Sequence, residues 1–533
     1  MIPNERDLWY LKPNVALEPL IDGWYAWPQL IFPASYALNL AHRHVRLMES
    51  YLAAPDAHRD AVAEPSFLGG PFLDFEGKIR VAEVQALLDT TRERQRPLLQ
   101  LSESIGELNQ LLAREARGGP LESFYPRVPD ALKGYVELQY DLGDRPSFRF
   151  YEQLLYRSRY HSVESQGVSL RALRSDRRPF VLSTPRLPTT ESIQLTLPFK
   201  GEEFATLLRA RDQPRRGGAL HEMLRLPEEC RSTFDACFSA ERPRQTLRYT
   251  GEGVRTRYFG HGTVLVETAE VSILTDPLLS YDCDDRSQRY GFSDLPAEID
   301  YLLITHAHPD HAIPEFLLQL RHRIKNVLVP RATGGTLLDF SLKRVLEELG
   351  FFSVIELDEM DSVETLGARI TSIPFMGEHG DLEVRAKAGY LVEARGKSLL
   401  FLADSCNLEP SLYRHVQRQV GNVDVLFVGM ECDGAPLTFF YGPLRLEEPG
   451  RKQNYARKLI GSDYGRVMDL VDCFRVREVY IYAMGYEPWA TYILALRYDA
   501  ESSAVIESNR VVQACRARGL AAERLFGKRE LFH

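Results

Sequence analysis

The stretch Tyr301-Leu302-Leu303-Ile304-Thr305-His306-Ala307-His308-Pro309-Asp310-His311 decides the fold of this chain. Its first four residues are an apolar run of the kind that forms a buried strand. The residues after it pack four metal-binding side chains, His306, His308, Asp310 and His311, into six positions. Three of the chain's 13 histidines fall there, so solvated loop residues are a poor account of them. In an extended path His306 and His308 point the same way. Asp310 and His311, beyond Pro309, turn toward a second position. This spacing suits a pair of metals, which in two-metal sites lie about 3.5–4 Å apart.

Around that stretch, the 533 residues exceed one ordinary core, and two domains are expected. Hydrophobic residues at 44% and charged residues at 26% are those of a globular protein. A net charge of −9 argues against nucleic acid as a partner. No run has the length of a membrane span, and Met1–Asp7 lacks a basic segment leading into an apolar one, so a cytoplasmic location is expected. The seven cysteines include no C-x-x-C pair, and reduced thiols are the default.

Residues 1–245 read as an α+β accessory domain. Trp9–Pro33 suits packed irregular structure, and Ala34–Ala53 and Val81–Ala113 carry helical spacing, the second broken near Pro97. Tyr135–Tyr140, Phe148–Tyr151 and Ile193–Leu197 read as strands, and Glu202–Arg211 and Ala219–Leu226 as helices. His42 and His44 fall on different helix faces. The run Arg171, Arg174, Arg177 and Arg178 reads as a solvated face, with docking of an acidic partner as the alternative.

From residue 246 to 533 the texture is that of a second, α/β domain. Thr246–Thr250, Val254–Phe259, Thr263–Thr268 and Val271–Leu274 read as successive strands. Asn326–Val329, a helix at Thr336–Leu349, Val354–Leu357, Ala368–Ile373, Ala388–Val392, Ser398–Leu402, Val423–Gly429 and Val476–Ala483 follow. Two runs of strands with helices outside imply a four-layer αββα sandwich with metals at the strand ends.

The H-x-H-x-D-H motif, with Thr275-Asp276-Pro277 before it and Leu402-Ala403-Asp404-Ser405 after it, resembles the metallo-β-lactamase superfamily over residues 250 to about 435. The resemblance implies that Asp404 bridges two metals; the competing role is a turn or helix-capping residue. Hydrolases of that superfamily bring two further histidines, and here the chain departs. The first falls at Met376-Gly377-Glu378-His379, where either Glu378 or His379 is the candidate ligand. The second has no counterpart, since only His415 and the terminal His533 follow His379. With Glu378 the donors become His306, His308, Asp310, His311, Glu378 and Asp404, a set that suits iron or manganese better than zinc.

Glu378 in place of a histidine, the chain length and the long N-terminal domain together resemble the dinuclear-iron β-hydroxylases of chloramphenicol biosynthesis. That resemblance favours Glu378 over His379 and implies an oxo-bridged pair of iron ions, dioxygen as co-substrate, and Glu378 and Asp404 as catalytic ligands. It implies a monooxygenase acting on L-p-aminophenylalanine held as a thioester on a nonribosomal peptide synthetase carrier domain. Two external electrons are then needed, and without a flavin or nicotinamide motif a separate reductase is expected. Homodimerisation or carrier docking fits the size of the N-terminal domain. His261 is either a hydrogen-bonding partner of a ligand or a turn residue. Glu431 and Asp433 lie either at the site mouth or in a solvated loop, and Tyr486 and Trp489 either line a ring pocket or belong to the core. The chief rival is a dinuclear zinc hydrolase with His379 as a ligand. A non-enzymatic scaffold is the weaker one.

Overall fold

The computed structural model describes residues 8–283 and 289–533; the reading of Met1–Asp7 lies outside them. Two seven-stranded sheets form the C-terminal half. The first has the spatial order Val354–Leu357, Ile324–Pro330, Ile299–Leu303, Ser272–Thr275, Thr263–Glu267, Arg255–Gly260, Arg529–Phe532. The second runs Ser362–Thr365, Ala368–Pro374, Ala388–Ala394, Lys397–Phe401, Val425–Gly429, Glu478–Tyr482, Ala521–Arg524. Alternation along each strand decides what lies between and outside the sheets. Val264, Val266, Ile273 and Leu303 pack against Tyr390, Val392, Phe401 and Phe427 in one core between the sheets. Leu391, Leu400, Leu426 and Val428 point the other way, onto helices Tyr464–Phe474 and Ser503–Ala517. The expected αββα sandwich is present.

The outer face of the first sheet is covered differently. Leu265, Leu274, Leu302 and Ile304 join one continuous core with Trp24, Leu30, Phe32, Leu101, Leu108 and Phe204 of the N-terminal half. Helix Pro314–Leu320, which follows the histidine motif, is buried at every position between the two. One polar cluster crosses this junction. Glu315 is buried and accepts hydrogen bonds from the hydroxyls of Tyr25 (2.7 Å), Tyr281 (2.7 Å) and Tyr492 (3.0 Å). Arg178 donates to both of its oxygens at 2.8 and 2.9 Å, pairs also with Glu18, and stacks on Tyr492 at 3.6 Å. Arg186 donates to Glu18 as well. Burial opposes the Glu18 charge, yet Arg186 and Arg178 hold its carboxyl down to about 2. Arg178 therefore does not belong to the solvated arginine face expected from sequence. Arg171 and Arg174 pair with Glu76 and Glu191 nearer the surface.

Other expectations are corrected by tertiary context. Trp9–Pro33 contains the strands Val15–Ile21 and Trp24–Tyr25, since Val15–Ile21 pairs along its length with Gln166–Ala172. Thr246–Thr250 is not a strand and makes one isolated bridge, Thr246 to Pro296. The helix expected at Thr336–Leu349 begins only at Leu342, capped by Ser341. The backbone before it is held elsewhere: Glu152 accepts from the amides of Gly335 and Ser341, and Asp339 from those of Thr333 and Ala386. Ala34–Ala53 is helical with one π-helical turn, Leu40–Val45, that carries His42 and His44.

Two outcomes are expected from the buried cluster. Arg178→Met should cost about 3–5 kcal/mol in urea unfolding, because it strands Glu315 and Glu18 in the interior. The lowered Glu18 carboxyl contributes stability above its ordinary 4.5, and that contribution is lost as pH falls toward about 2. Glu18→Gln should accordingly flatten the acid limb of a stability-against-pH curve in that window.

Candidate metal centre

The strand Ile299–Leu303 ends at the lip of the sandwich, and the second sheet closes over it. Tyr390 donates to the Ile304 carbonyl at 2.9 Å, and the Ala388 amide to that of Thr305 at 2.8 Å. Asp276, buried at the end of the neighbouring strand, organises the turn. Its carboxylate accepts from the Thr305 amide (2.8 Å) and hydroxyl (2.6 Å) and contacts His311 Nδ1 at 2.8 Å. That leaves His311 Nε2 pointing inward. It lies 3.0 Å from Asp404 Oδ2 and 3.4 Å from Asp310 Oδ2.

Glu378 and Asp404 come from loops of the second sheet. Glu378 has a left-handed φ of 69°, as does Gly377 at 82°, and a Cβ on Gly377 would lie 2.7 Å from that of Cys406. The Cys406 amide donates to the Met376 carbonyl at 2.8 Å and the Met376 amide to Ser405 Oγ at 3.2 Å, so the loops that carry Glu378 and Asp404 are fastened together. Asp404 follows Ala403, also left-handed at 43°, whose amide donates to Tyr482 Oη and whose carbonyl accepts from Gly429. A Cβ at Gly429 would lie 2.5 Å from that carbonyl, so the close approach requires glycine. Non-glycine residues in this region are strained and persist where surrounding bonds over-determine them.

The result is a buried cluster in which His306, His308 and Glu378 form one group and His306, His311 and Asp404 another, each able to converge on a cation. His308 Nδ1 is 2.7 Å from Glu378 Oε1, and His306 Nε2 is 3.8 Å from both Glu378 Oε2 and Asp404 Oδ2. Among the described residues, His306 Nε2, Asp310 Oδ1, Glu378 Oε2 and Asp404 Oδ1 are buried with no hydrogen-bond partner, and His379 Nε2, 3.1 Å from Glu378 Oε2, is the one further unpartnered nitrogen beside them. Buried polar atoms left without partners in one place are what bound cations would satisfy, and this donor set fits a dinuclear metal centre. Burial, with Asp404 and Asp310 adding to it, pushes the Glu378 carboxyl up to about 7 in the absence of a cation. Asp404 stands apart from any helix cap: the next helix begins at Pro410 and is capped by Glu409.

His261, at a left-handed φ of 47°, is held on all sides. Its amide donates to Glu487, its carbonyl accepts from Ala483, and its Nδ1 accepts from the Gly485 amide at 3.1 Å. A ring whose Nδ1 accepts carries its proton on Nε2, and that atom lies 3.1 Å from Asp310 Oδ2. His261 thus orients Asp310 and is more than a turn residue. Ala483–Gly485, where no histidine stands at the end of its strand, supplies the backbone that holds this ring. Phe375 packs on His306 and Phe440 on His308, with ring centroids 5.4 and 4.6 Å apart.

Glu431 is half-buried, and burial, with Asp404, Asp310 and Glu378 adding to it, pushes its carboxyl well above the usual range. Asp433 is exposed. Tyr486 stacks on Tyr498, and Trp489 is buried over Gly260. His415 is exposed, and His533 bonds to Thr256 and Glu478 away from the site. Sequence reasoning assigned no role to Asp276 or Tyr441. Asp276 was visible only as part of an upstream motif, and Tyr441 reaches the site from a short helix, Thr438–Tyr441, with no local signal. Asp276→Asn should weaken metal retention about 10–100-fold in chelator competition, because it removes the carboxylate that orients His311.

A model of the diiron non-heme β-hydroxylase N-terminal domain matches residues 10–243, and one of the β-lactamase superfamily domain matches residues 272–435. The chain is 35% identical over 530 residues to the 4-amino-L-phenylalanyl-[CmlP-peptidyl-carrier-protein] 3-hydroxylase of Streptomyces venezuelae, covering 98% of this chain and 99% of that one. The crystal structure of CmlA, a diiron β-hydroxylase from the same organism, superposes with a TM-score of 0.92 at 34% identity, over 99% of each chain. A point mutant of that β-hydroxylase gives 0.90 at 34% identity, over 98% of this chain and 100% of the other. Likeness of this extent through both halves favours the hydroxylase reading over the zinc hydrolase. Its sequence and its fold together make this chain a member of the diiron β-hydroxylase family.

Proposed function

We propose that the chain is an oxygen-dependent dinuclear-iron monooxygenase. Its substrate is L-p-aminophenylalanine, hydroxylated at the β-carbon while tethered as a thioester to a nonribosomal peptide synthetase carrier domain, in chloramphenicol-type antibiotic biosynthesis. The observation that carries this reading is the set of partnerless buried atoms on three kinds of donor, imidazole, aspartate and glutamate, in a chain related end to end to a carrier-dependent 3-hydroxylase. His306, His308 and Glu378 would hold one iron, Asp310 and His311 the other, and Asp404 would stand between them. An oxygen-rich set of this kind suits iron better than zinc.

Bound iron supplies the activation of dioxygen and the attack on the benzylic C–H bond. One oxygen atom enters the product and the other leaves as water with two protons and two electrons, which a separate reductase provides. The chain's own residues keep the donors in place. Asp276 orients His311, His261 orients Asp310, and the left-handed backbone at Glu378 and Ala403 aims both carboxylates inward. Phe375 and Phe440 shield two ligand rings from water. The proposal includes a cytoplasmic location and, for residues 1–245, a part in homodimerisation or carrier docking. No helix among the described residues is long and apolar enough to cross a membrane.

Protein purified without added metal should contain two irons per chain, absorb in the near ultraviolet, and convert carrier-bound L-p-aminophenylalanine to its β-hydroxy form with dioxygen and a reductant. Two zincs in a colourless protein would overturn the reading. Glu378→His should move metal preference toward zinc and abolish hydroxylation; full activity with iron would remove Glu378 from the ligand set.

A further inference from the structure

A closed circuit of side chains joins the two candidate ligands His308 and Glu378 through residues that need not touch a metal. His308 Nδ1 faces Glu378 Oε1 at 2.7 Å, while its Nε2 lies 2.8 Å from the Tyr441 hydroxyl. The same hydroxyl lies 2.6 Å from His379 Nδ1. His379 Nε2 then returns to Glu378, 3.1 Å from Oε2, with neither atom in an aligned hydrogen bond. All four residues are buried, and among the described residues the Tyr441 hydroxyl has no third partner.

The direction of the protons around this circuit follows from counting them. An imidazole bound to a metal through one nitrogen carries its proton on the other. The nitrogen of His308 that faces the cluster is Nδ1, so in the loaded centre Nε2–H donates to Tyr441. A tyrosine hydroxyl has one proton to give. With His308 already donating to its oxygen, that proton goes to His379 Nδ1. His379 then carries its own proton on Nε2, the atom beside Glu378 Oε2. Were His379 a ligand through Nε2, its Nδ1–H would also donate to Tyr441. The hydroxyl would receive two protons and have no acceptor for its own, in a buried place where an unmade bond is costly.

We propose that Tyr441 and His379 are positioning residues: the Tyr441 hydroxyl locks His379 into the tautomer with its proton on Nε2, the nitrogen facing Glu378 Oε2, which excludes His379 from the metals and restrains how Glu378 binds. This rests on the ligand set proposed above. It accounts for the presence of two candidate donors, Glu378 and His379, side by side with only one serving as ligand. It also makes Glu378 answer to His308, because a change in the bond of either is passed through Tyr441 to the other.

The test uses the iron-loaded, full-length protein and two near-isosteric changes. His379→Gln keeps an N–H for Glu378 but offers no imidazole; it should retain two irons and a near-ultraviolet spectrum like that of the parent. Tyr441→Phe removes only the hydroxyl and frees His379 to present Nε2 to a metal. It should shift the spectrum and raise the retention of zinc relative to iron about 10–100-fold in direct competition, within the range expected when a ligand's supporting partner is altered. Adding His379→Gln to Tyr441→Phe should cancel the gain in zinc. Loss of an iron in His379→Gln would show His379 to be a ligand, and a Tyr441→Phe protein with the parental spectrum and zinc competition would show that the hydroxyl sets nothing; either result overturns the proposal. An unaltered protein that holds no iron would instead defeat the ligand set itself, before either variant is compared.

Discussion

Three carboxylates, Asp310, Glu378 and Asp404, are buried around His306, His308 and His311 at the ends of two sheets, and the rest of the site is organised around that charge. Burial alone disfavours each ionised form, and mutual repulsion adds to it, as the upward displacement of Glu378 shows. Burial opposes the Asp310 charge as well, yet His311 and His261 hold that carboxyl well below the usual range; at Glu378 the imidazoles do not overcome burial. Two divalent cations do, and because the donors come from separate loops, binding them also fastens the sheets together. The centre is therefore a structural clasp as much as a place for chemistry.

The clasp is pre-shaped by backbone the sequence would not choose unaided. Asp276, Glu378 and Ala403 adopt left-handed conformations, and His261 does the same across from them. Each is held by bonds to another element: Asp276 to the turn at Thr305, Ala403 to Tyr482 and Gly429, His261 to Glu487 and Gly485. Strain of this sort is affordable only inside a rigid frame, and the two seven-stranded sheets provide it. Placing donors on strand ends and short strained loops leaves them little freedom to follow a metal of the wrong geometry.

The fold was legible wherever its cause was local. The apolar run before His306 and the short β-branched segments after residue 254 were readable because composition and spacing report directly on buried strands, whereas Asp404 was reached through the family resemblance. What escaped was set by partners distant in the chain. Trp9–Pro33 hides its strands because Val15–Ile21 is buried at every position and so shows no alternation; only its pairing with Gln166–Ala172 reveals it. The first turn and a half of the helix expected at Thr336 is lost where the Ser341 amide goes to Glu152 and the Asp339 amide to the Thr336 hydroxyl. Tyr441 lies 133 residues from the ring it supports, and no periodicity links them. Arg178 looked like its neighbours in a basic run and is in fact the counter-charge of two buried glutamates.

That last case changes what the N-terminal half is for. Glu315 is four residues beyond His311, on the helix that follows directly from the metal-binding turn, and that helix is buried at every position by N-terminal side chains. The counter-charge to Glu315 and one of the hydroxyls bonded to it, from Arg178 and Tyr25, are N-terminal; a third partner, Tyr492, comes from the segment just beyond Glu487, the residue that holds His261. In a freestanding sandwich the helix outside the first sheet would face water, and a carboxylate at Glu315 would be solvated. Here it is enclosed, and Arg178 and Tyr25 of the other half lie directly against it. The N-terminal half thus backs the helix that follows the histidine turn, with Arg178 and Tyr25 reaching Glu315 across the junction.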